Sequence, residues 1–222
     1  MTIDQSRDLL PRQWVGHELL HDVLDLPRAI AAEIVAADRP GSRLVIDIGS
    51  GPDTLLDRFL AALPDARGVW ADVSSAMAAL ARDRLASYAP RVDFQLADMT
   101  DLRGLPFPAD VIASSHASHH LSPRQLRQFY AEAHARLAPG GCLVNLDHTH
   151  SVSAEWDKRL RAASTTLTPH APAGQASHDA ATPPTTSEHL GALRAAGFTD
   201  LDMPWRVFPT CLFMARRGER DG

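Results

Sequence analysis

The stretch Leu44-Val45-Ile46-Asp47-Ile48-Gly49-Ser50-Gly51-Pro52 decides the fold. Its first five residues form a mostly apolar run of strand length, and the Gly-Ser-Gly-Pro that follows has to turn. Leu55, Leu56, Phe59, Leu60 and Leu63 then recur at helical spacing, so the unit is a strand, a glycine turn and a helix. Two glycines let the backbone come into contact with a ligand. A helix that starts directly after them turns its N-terminus toward that ligand and favours an anionic group there.

Outward from this unit the alternation repeats. Gly68 to Ala71 predicts a second strand leading into a helix from Ser75 to Tyr88, Val92 to Leu96 a third strand, and Val111 to Ser114 a fourth. Ser122-Pro123 supplies an N-cap and a first helical residue for a helix to Leu137. Pro139-Gly140-Gly141 breaks that helix, and Cys142 to Leu146 is the fifth strand. Strands alternating with helices imply a parallel sheet covered on both faces, the doubly wound α/β architecture.

Before the first strand, Asp4 to Ala37 predicts two helices, the second starting at Pro27, which form an N-terminal helical cap over 1–40. After the fifth strand Glu155 to Thr166 reads as helical, whereas Leu167 to Thr186 is rich in Pro, Thr, Ser, Ala and His. Residues 151–186 are therefore expected to form a mobile lid. A helix from Ser187 to Ala196 with Gly197 as its stop and two strands, near Phe198 to Met203 and Cys211 to Arg216, complete 187–216. The expectation is one domain over 1–222, with a seven-stranded, mostly parallel sheet and a cofactor-binding core over 43–147.

The composition excludes several function classes. With 27 acidic against 22 basic residues, a net charge of -5 and no run of Lys or Arg, no basic stripe is available for nucleic acid or an anionic membrane surface. No stretch approaches the roughly 18 consecutive apolar residues of a membrane span, and the N-terminus lacks a signal-type apolar segment, so a cytoplasmic location is expected. Two cysteines, Cys142 and Cys211, make neither a disulfide framework nor a paired metal-ligand spacing. Lys158 is the sole lysine, and no Gly-Lys-Ser/Thr exists to reach nucleotide phosphates, which removes the phosphate-loop class. Resemblance to the short-chain dehydrogenases would require a Tyr four residues before that lysine, where this chain has Ala154.

Ligands of open parallel sheets bind beyond the carboxyl ends of the strands, at the point where strand order reverses. Asp72 closes the second strand 21 positions after Gly51, the distance at which an acid accepts both hydroxyls of a ribose. A dinucleotide would share these features, but its fingerprint asks for a third Gly or Ala where Thr54 stands. Asp53 is read as the N-cap of the following helix rather than as a ligand contact.

Asp47, the Gly49-Ser50-Gly51 turn, Asp72 and then Asp98 directly after the third strand resemble the class I S-adenosylmethionine-dependent methyltransferases. The likeness continues in Ala109-Asp110-Val111-Ile112 leading to Ser118-His119-His120-Leu121, in Leu137-Ala138-Pro139-Gly140-Gly141, and in Leu193-Arg194-Ala195-Ala196-Gly197-Phe198. It implies the Rossmann-like methyltransferase fold and S-adenosylmethionine as cofactor. It also implies that Gly49 and Gly51 pass close to the methionine part, that Asp72 holds the ribose, and that Asp98 and Met99 frame the adenine. Asp47, Val73 and Ser115 complete the cofactor-binding set.

Methyl transfer asks an enzyme mainly for alignment and, where needed, for removal of a proton from the acceptor. Histidine suits the second task near neutral pH. Of the 11 histidines, His116, His119 and His120 follow the fourth strand, and His148 and His150 follow the fifth. His119, His148 and His150 are the candidate bases. The last two are ranked higher because Asp147 beside them in sequence offers an acid to orient an imidazole. Trp14, His17, His116, His120, Asp147 and Trp156 are the candidate acceptor contacts, on a partly apolar lid that suits a small organic molecule, aromatic ones included. His116, His120, Asp147 and His148 could also converge on a divalent ion, but they form no tight ligand motif and no metal is expected. The asparagine-proline-proline-aromatic signature of amide methylation is replaced by Ser115-His116-Ala117-Ser118, and arsenic methylation would need more cysteines. Two other functions stay open at this stage: an enzyme that uses the bound cofactor for decarboxylation, cyclisation or rearrangement, and a non-catalytic binding protein. Nothing in the sequence indicates an oligomeric state.

Overall fold

The computed structural model describes residues 18–52, 55–167 and 183–219. Helix α1 (Glu18–Asp38) leads to β1 (Leu44–Ile48), α2 (Leu55–Ala62), β2 (Arg67–Asp72), α3 (Ser75–Arg84) and β3 (Val92–Leu96). Strand β4 (Ala109–Ser115), α4 (Pro123–Arg136) and β5 (Leu137–His148) follow, then α5 (Ala154–Leu167), α6 (Thr186–Ala195), β6 (Thr199–Val207) and β7 (Thr210–Arg216). All seven strands lie in one sheet ordered β3-β2-β1-β4-β5-β7-β6. The pairs among the first five strands are parallel, and β7 runs antiparallel between β5 and β6. Strand order reverses between β1 and β4, which opens a crevice at their carboxyl ends.

Alternation along the strands builds two cores. Val45, Trp70, Val111, Ala113, Val144 and Leu146 pack with α1, α2 and α3 on one face. Ile46, Ile48, Val69, Ile112, Leu143 and Phe213 pack with α4 and α6 on the other. Because both faces are covered, β1 is apolar on both sides, and Asp47 is the charged exception, fully buried. Asp110 at the start of β4 accepts hydrogen bonds from the backbone N–H groups of Arg43 (2.8 Å) and Leu44 (3.1 Å), which fixes where β1 enters the sheet. Helix α4 begins with a capping box between Ser122 and Gln125, and α6 with one between Thr185 and Glu188.

Two elements differ from the sequence reading. Pro27 lies inside α1 rather than starting a second helix. Its missing N–H costs one helical bond, but the next two turns bury Ala31, Ala32 and Val35 in the core, and that packing carries the helix through. The fifth strand begins at Leu137, not Cys142: Leu137 already pairs with Ala109, and the register shifts before Val111 meets Cys142. Pro139-Gly140-Gly141 is thus absorbed within the strand, with Gly140 at φ +70°. Within the segment expected to be a lid, Ala154–Leu167 form α5, in line with the helical pattern read there, and 168–182 lie outside the described residues. Among the described residues no helix is long and apolar enough to cross a membrane.

Candidate active site

The glycine turn after β1 is built by its neighbours. Gly49 and Gly51 have φ of +67° and +58°, a left-handed backbone that side chains disfavour. The Gly49 N–H donates to the Ala71 carbonyl (2.8 Å), the Ser50 hydroxyl to the Asp47 carbonyl (2.6 Å), and the buried Trp70 Nε1–H to the Gly51 carbonyl (2.9 Å). A Cβ on Gly49 would stand 2.4 Å from the Cβ of Ala117, so this turn touches the loop after β4. A Cβ on Gly51 would meet nothing within 4 Å, and the turn faces open space there.

Asp72 ends β2 beside that space. Its Oδ2 accepts from the Gly51 N–H and its Oδ1 from the Ser74 N–H, both at 2.9 Å. These two backbone bonds fix the carboxylate plane beside that space, a placement that fits a vicinal diol. Val73 follows it, half-buried. Asp98 is exposed after β3 and organises its own turn, accepting from the Thr100 N–H and hydroxyl at 2.8 Å, while Met99 packs against the core. Ser115 closes β4 with its hydroxyl 3.0 Å from His116 Nδ1. The residues assigned to the cofactor therefore occupy successive strand ends along one crevice.

On the other side of Gly49 lies a histidine cluster. His116 adopts φ +53°, which is strained for a residue with a Cβ, and its ring packs edge-on against His148 with centroids 4.6 Å apart. Burial, reinforced by His148 and by the buried Arg28 guanidinium from α1, pushes the His116 imidazole well below its ordinary range. His119 lies in a short 3₁₀ turn (Ser118–His120) and is 8% exposed, with the exposed His120 ring 4.0 Å away and His148 5.4 Å away.

Asp147, fully buried on β5, holds this cluster together. Its Oδ1 accepts from His119 Nδ1 (2.6 Å) and from the His148 N–H (2.7 Å). Its Oδ2 accepts from the His119 N–H (2.8 Å) and from the Ser118 hydroxyl. Burial disfavours the charge on Asp147, but the charge and hydrogen bond of the adjoining His119 imidazole, with smaller help from His116 and His148, outweigh it and hold the carboxyl far below the ordinary carboxylate range. Burial likewise works against an imidazolium at His119, and the Asp147 carboxylate overcomes it, so the His119 pKa is raised above 6.5. With Nδ1–H directed at Asp147, neutral His119 keeps its lone pair on Nε2.

The structure thus gives Asp147 a partner that sequence proximity does not suggest. It orients His119, 28 positions away, rather than His148 or His150, and with four bonds on its oxygens it is not an acceptor contact. His148 instead sets Nδ1 3.0 Å from the Thr210 hydroxyl. His150 is turned toward α5, where its Nδ1 is 3.2 Å from Asp157, beside Arg161. Trp156 is 57% exposed on α5, under the Arg159 guanidinium at 5.4 Å, and does not line the crevice. Trp14, His17 and Asp53 lie outside the described residues. Among the described residues no group of three or more His, Cys, Asp and Glu side chains is arranged to hold a metal ion.

Sequence reasoning missed the buried polar groups behind Asp147. The Asn145 amide Nδ2 lies 2.9 Å from Ser118 Oγ and 2.8 Å from the Tyr130 hydroxyl, which is 2.7 Å from His189 Nδ1. The available signal was an asparagine within Leu143-Val144-Asn145-Leu146, a polar side chain in a strand buried on both faces.

Known proteins resemble this chain in sequence and in fold. Residues 45–141 match the family model for a methyltransferase domain. The trans-aconitate 2-methyltransferase of Methylobacterium nodulans is 36% identical over 105 residues, 45% of this chain and 36% of that protein. Among solved structures, the O-methyltransferase family 2 protein of Planctomyces limnophilus in complex with apigenin superposes with a TM-score of 0.73 at 20% identity, over 98% of this chain and 62% of the other. Human N-acetylserotonin methyltransferase in complex with S-adenosylmethionine gives 0.62 at 18% identity, over 85% and 51%. The chain spans about a third of the curated relative and between half and two thirds of these solved chains.

Proposed function

We propose that the chain is a class I S-adenosylmethionine-dependent methyltransferase that methylates an O or N atom of a small organic acceptor, with His119 as the base. The observation that carries this reading is the pair His119 Nδ1 to Asp147 Oδ1 at 2.6 Å, in a loop that touches the cofactor turn through Ala117 and Gly49. A base there favours an acceptor that has to lose a proton, a hydroxyl or an N–H, over a carboxylate already ionised at neutral pH. The solved relative bound to apigenin, a phenol, supports that choice, and the net charge of -5 argues against nucleic acid.

The crevice fits the cofactor: Asp72 is set for the ribose hydroxyls, and the open space at Gly51 leaves room for the methionine part. When bound, S-adenosylmethionine supplies a methyl group on a positively charged sulfur, already a good leaving group. The chain's own work is then positional and acid–base. Gly49 and Gly51 hold the turn, Asp98 and Met99 border the far side, and His119 Nε2 takes the acceptor's proton while Asp147 stabilises the imidazolium that results. His116, neutral and buried, shapes the pocket wall together with His148. Incubation with methyl-labelled cofactor and a metabolite extract tests the proposal. Label should move to a small molecule with the wild type and about a hundredfold or more slower with His119→Ala. Cofactor binding without any transfer would overturn the methylation reading and favour a non-methylating use of the cofactor.

A further inference from the structure

The buried polar groups behind Asp147 have an order that its charge dictates. Held ionised, Asp147 can only accept, so the single Ser118 proton points to it. The Asn145 atom 2.9 Å from Ser118 Oγ must then be a donor, which places Nδ2 there. The same nitrogen gives its second hydrogen to the Tyr130 hydroxyl at 2.8 Å, and Tyr130 therefore donates to His189 Nδ1 at 2.7 Å. His189, fully buried and pushed down to about 4 by burial, is neutral with its proton on Nε2.

Asn145 donates in both directions, so the network divides at it. The Ser118 hydroxyl answers to Asp147, while the Tyr130 hydroxyl, which also interacts with Ser118, gives its proton to His189. This double donation leaves Asn145 Oδ1 buried without a hydrogen-bond partner, a cost that an apolar residue in this strand would avoid. We propose that Asn145, acting through Ser118, is a positioning residue for the base. Its Nδ2–H, donated to Ser118 Oγ, leaves that hydroxyl to act as a donor to Asp147 and so helps set how strongly the carboxylate holds the Nδ1–H of His119. The inference rests on the reading of His119 as the base, but its test does not need turnover.

The groups that face His119 are Asp147 and His148 from β5, His116 and His120 on either side of its own turn, and His189 from α6. Titration of ¹⁵N-histidine-labelled full-length protein by NMR reads the His119 tautomer and its pKa. Wild type should show neutral His119 as the Nδ1–H form, titrating above 6.5. In Asn145→Asp a new acceptor draws the Ser118 proton away, and in Ser118→Ala the donor is gone. Either change should raise the His119 pKa by about 0.5 to 1 unit, because fewer donors then share the Asp147 charge. Tyr130→Phe keeps the bond from Asn145 to Ser118, so it should lower the melting temperature yet leave the His119 titration in place. The inference is overturned if Ser118→Ala and any folded Asn145→Asp protein titrate within about 0.2 unit of wild type, or if Tyr130→Phe moves His119 as far as they do. Should Asn145→Asp fail to fold, Asn145→Leu decides by the same measure, since it removes the donor to Ser118 without adding a charge. Shifts of this pattern in a protein that transfers no methyl group would retain the positioning role and refute the proposed function instead.

Discussion

Replacing Asp147 with Asn keeps the shape of the side chain and removes the charge on which the site depends. In whichever orientation the amide settles, its NH₂ faces two donors, either Ser118 O–H with His119 N–H, or His119 Nδ1–H with His148 N–H. Two hydrogen bonds to a charged acceptor, at about 1.5–3 kcal/mol each, bracket a loss of about 3–6 kcal/mol, and the value of about 3–5 kcal/mol for breaking a buried ion pair falls within it. His119 would also lose the group that fixes its tautomer, and turnover should fall by about a hundredfold to ten-thousandfold. The pH profile gives the sign. Wild-type rate requires neutral His119, so its acidic limb should lie above 6.5; without the carboxylate, burial dominates and the limb should move below 6.5. Urea unfolding and initial rates at saturating cofactor across about pH 5.5 to 9, a range that covers both sides of 6.5, provide both numbers. A variant within about 0.5 kcal/mol of wild type, with an unmoved limb, would refute the claim that Asp147 orients the base.

Other consequences follow from the same contacts. Gly49→Ala should unfold at markedly lower temperature, because its Cβ would stand 2.4 Å from that of Ala117 at φ +67°, and Ala117→Gly in the same chain should restore part of the loss in a melting curve. Trp70→Phe deletes the hydrogen bond to the Gly51 carbonyl, and calorimetry should find cofactor affinity reduced several-fold, in keeping with about 0.5–1.5 kcal/mol. The His119–Asp147 pair should stabilise the fold most between about pH 4 and 6.5. The raised His119 pKa means its share is full below 6.5 and fades as pH rises through the folded-state value; the depressed Asp147 pKa means its share is full above about 4 and fades on acidification. Unfolding free energy measured against pH for wild type and Asp147→Asn should differ most inside that window, and a constant difference would contradict the linkage.

The crevice at the strand ends was legible because its signals are local. Gly49 and Gly51 turn out of β1 and Asp72 closes β2, each after a plain apolar run, and parallel pairing brings such ends to one edge of the sheet. The capping box at Ser122 was likewise readable, as Ser-Pro followed by Gln125. The acid–base half was not, because it depends on register across strands. Ser115 pairs with Leu146, so Asp147 arrives at the turn that carries His119, although 28 positions separate them in sequence. Counting neighbours along the chain assigned Asp147 to His148 and His150 instead. Pro27 misled for a different reason: its local preference for a helix start was overridden by burial of the turns that follow it.

The most direct test of the central claim is calorimetric titration of the purified chain with S-adenosylmethionine. We expect binding in the micromolar range, weakened by about 1–3 kcal/mol, roughly 5- to 150-fold, in Asp72→Ala, which removes the carboxylate set beside the Gly51 turn. No detectable binding by the folded wild type, or equal affinity in Asp72→Ala, would contradict the assignment of this crevice to the cofactor.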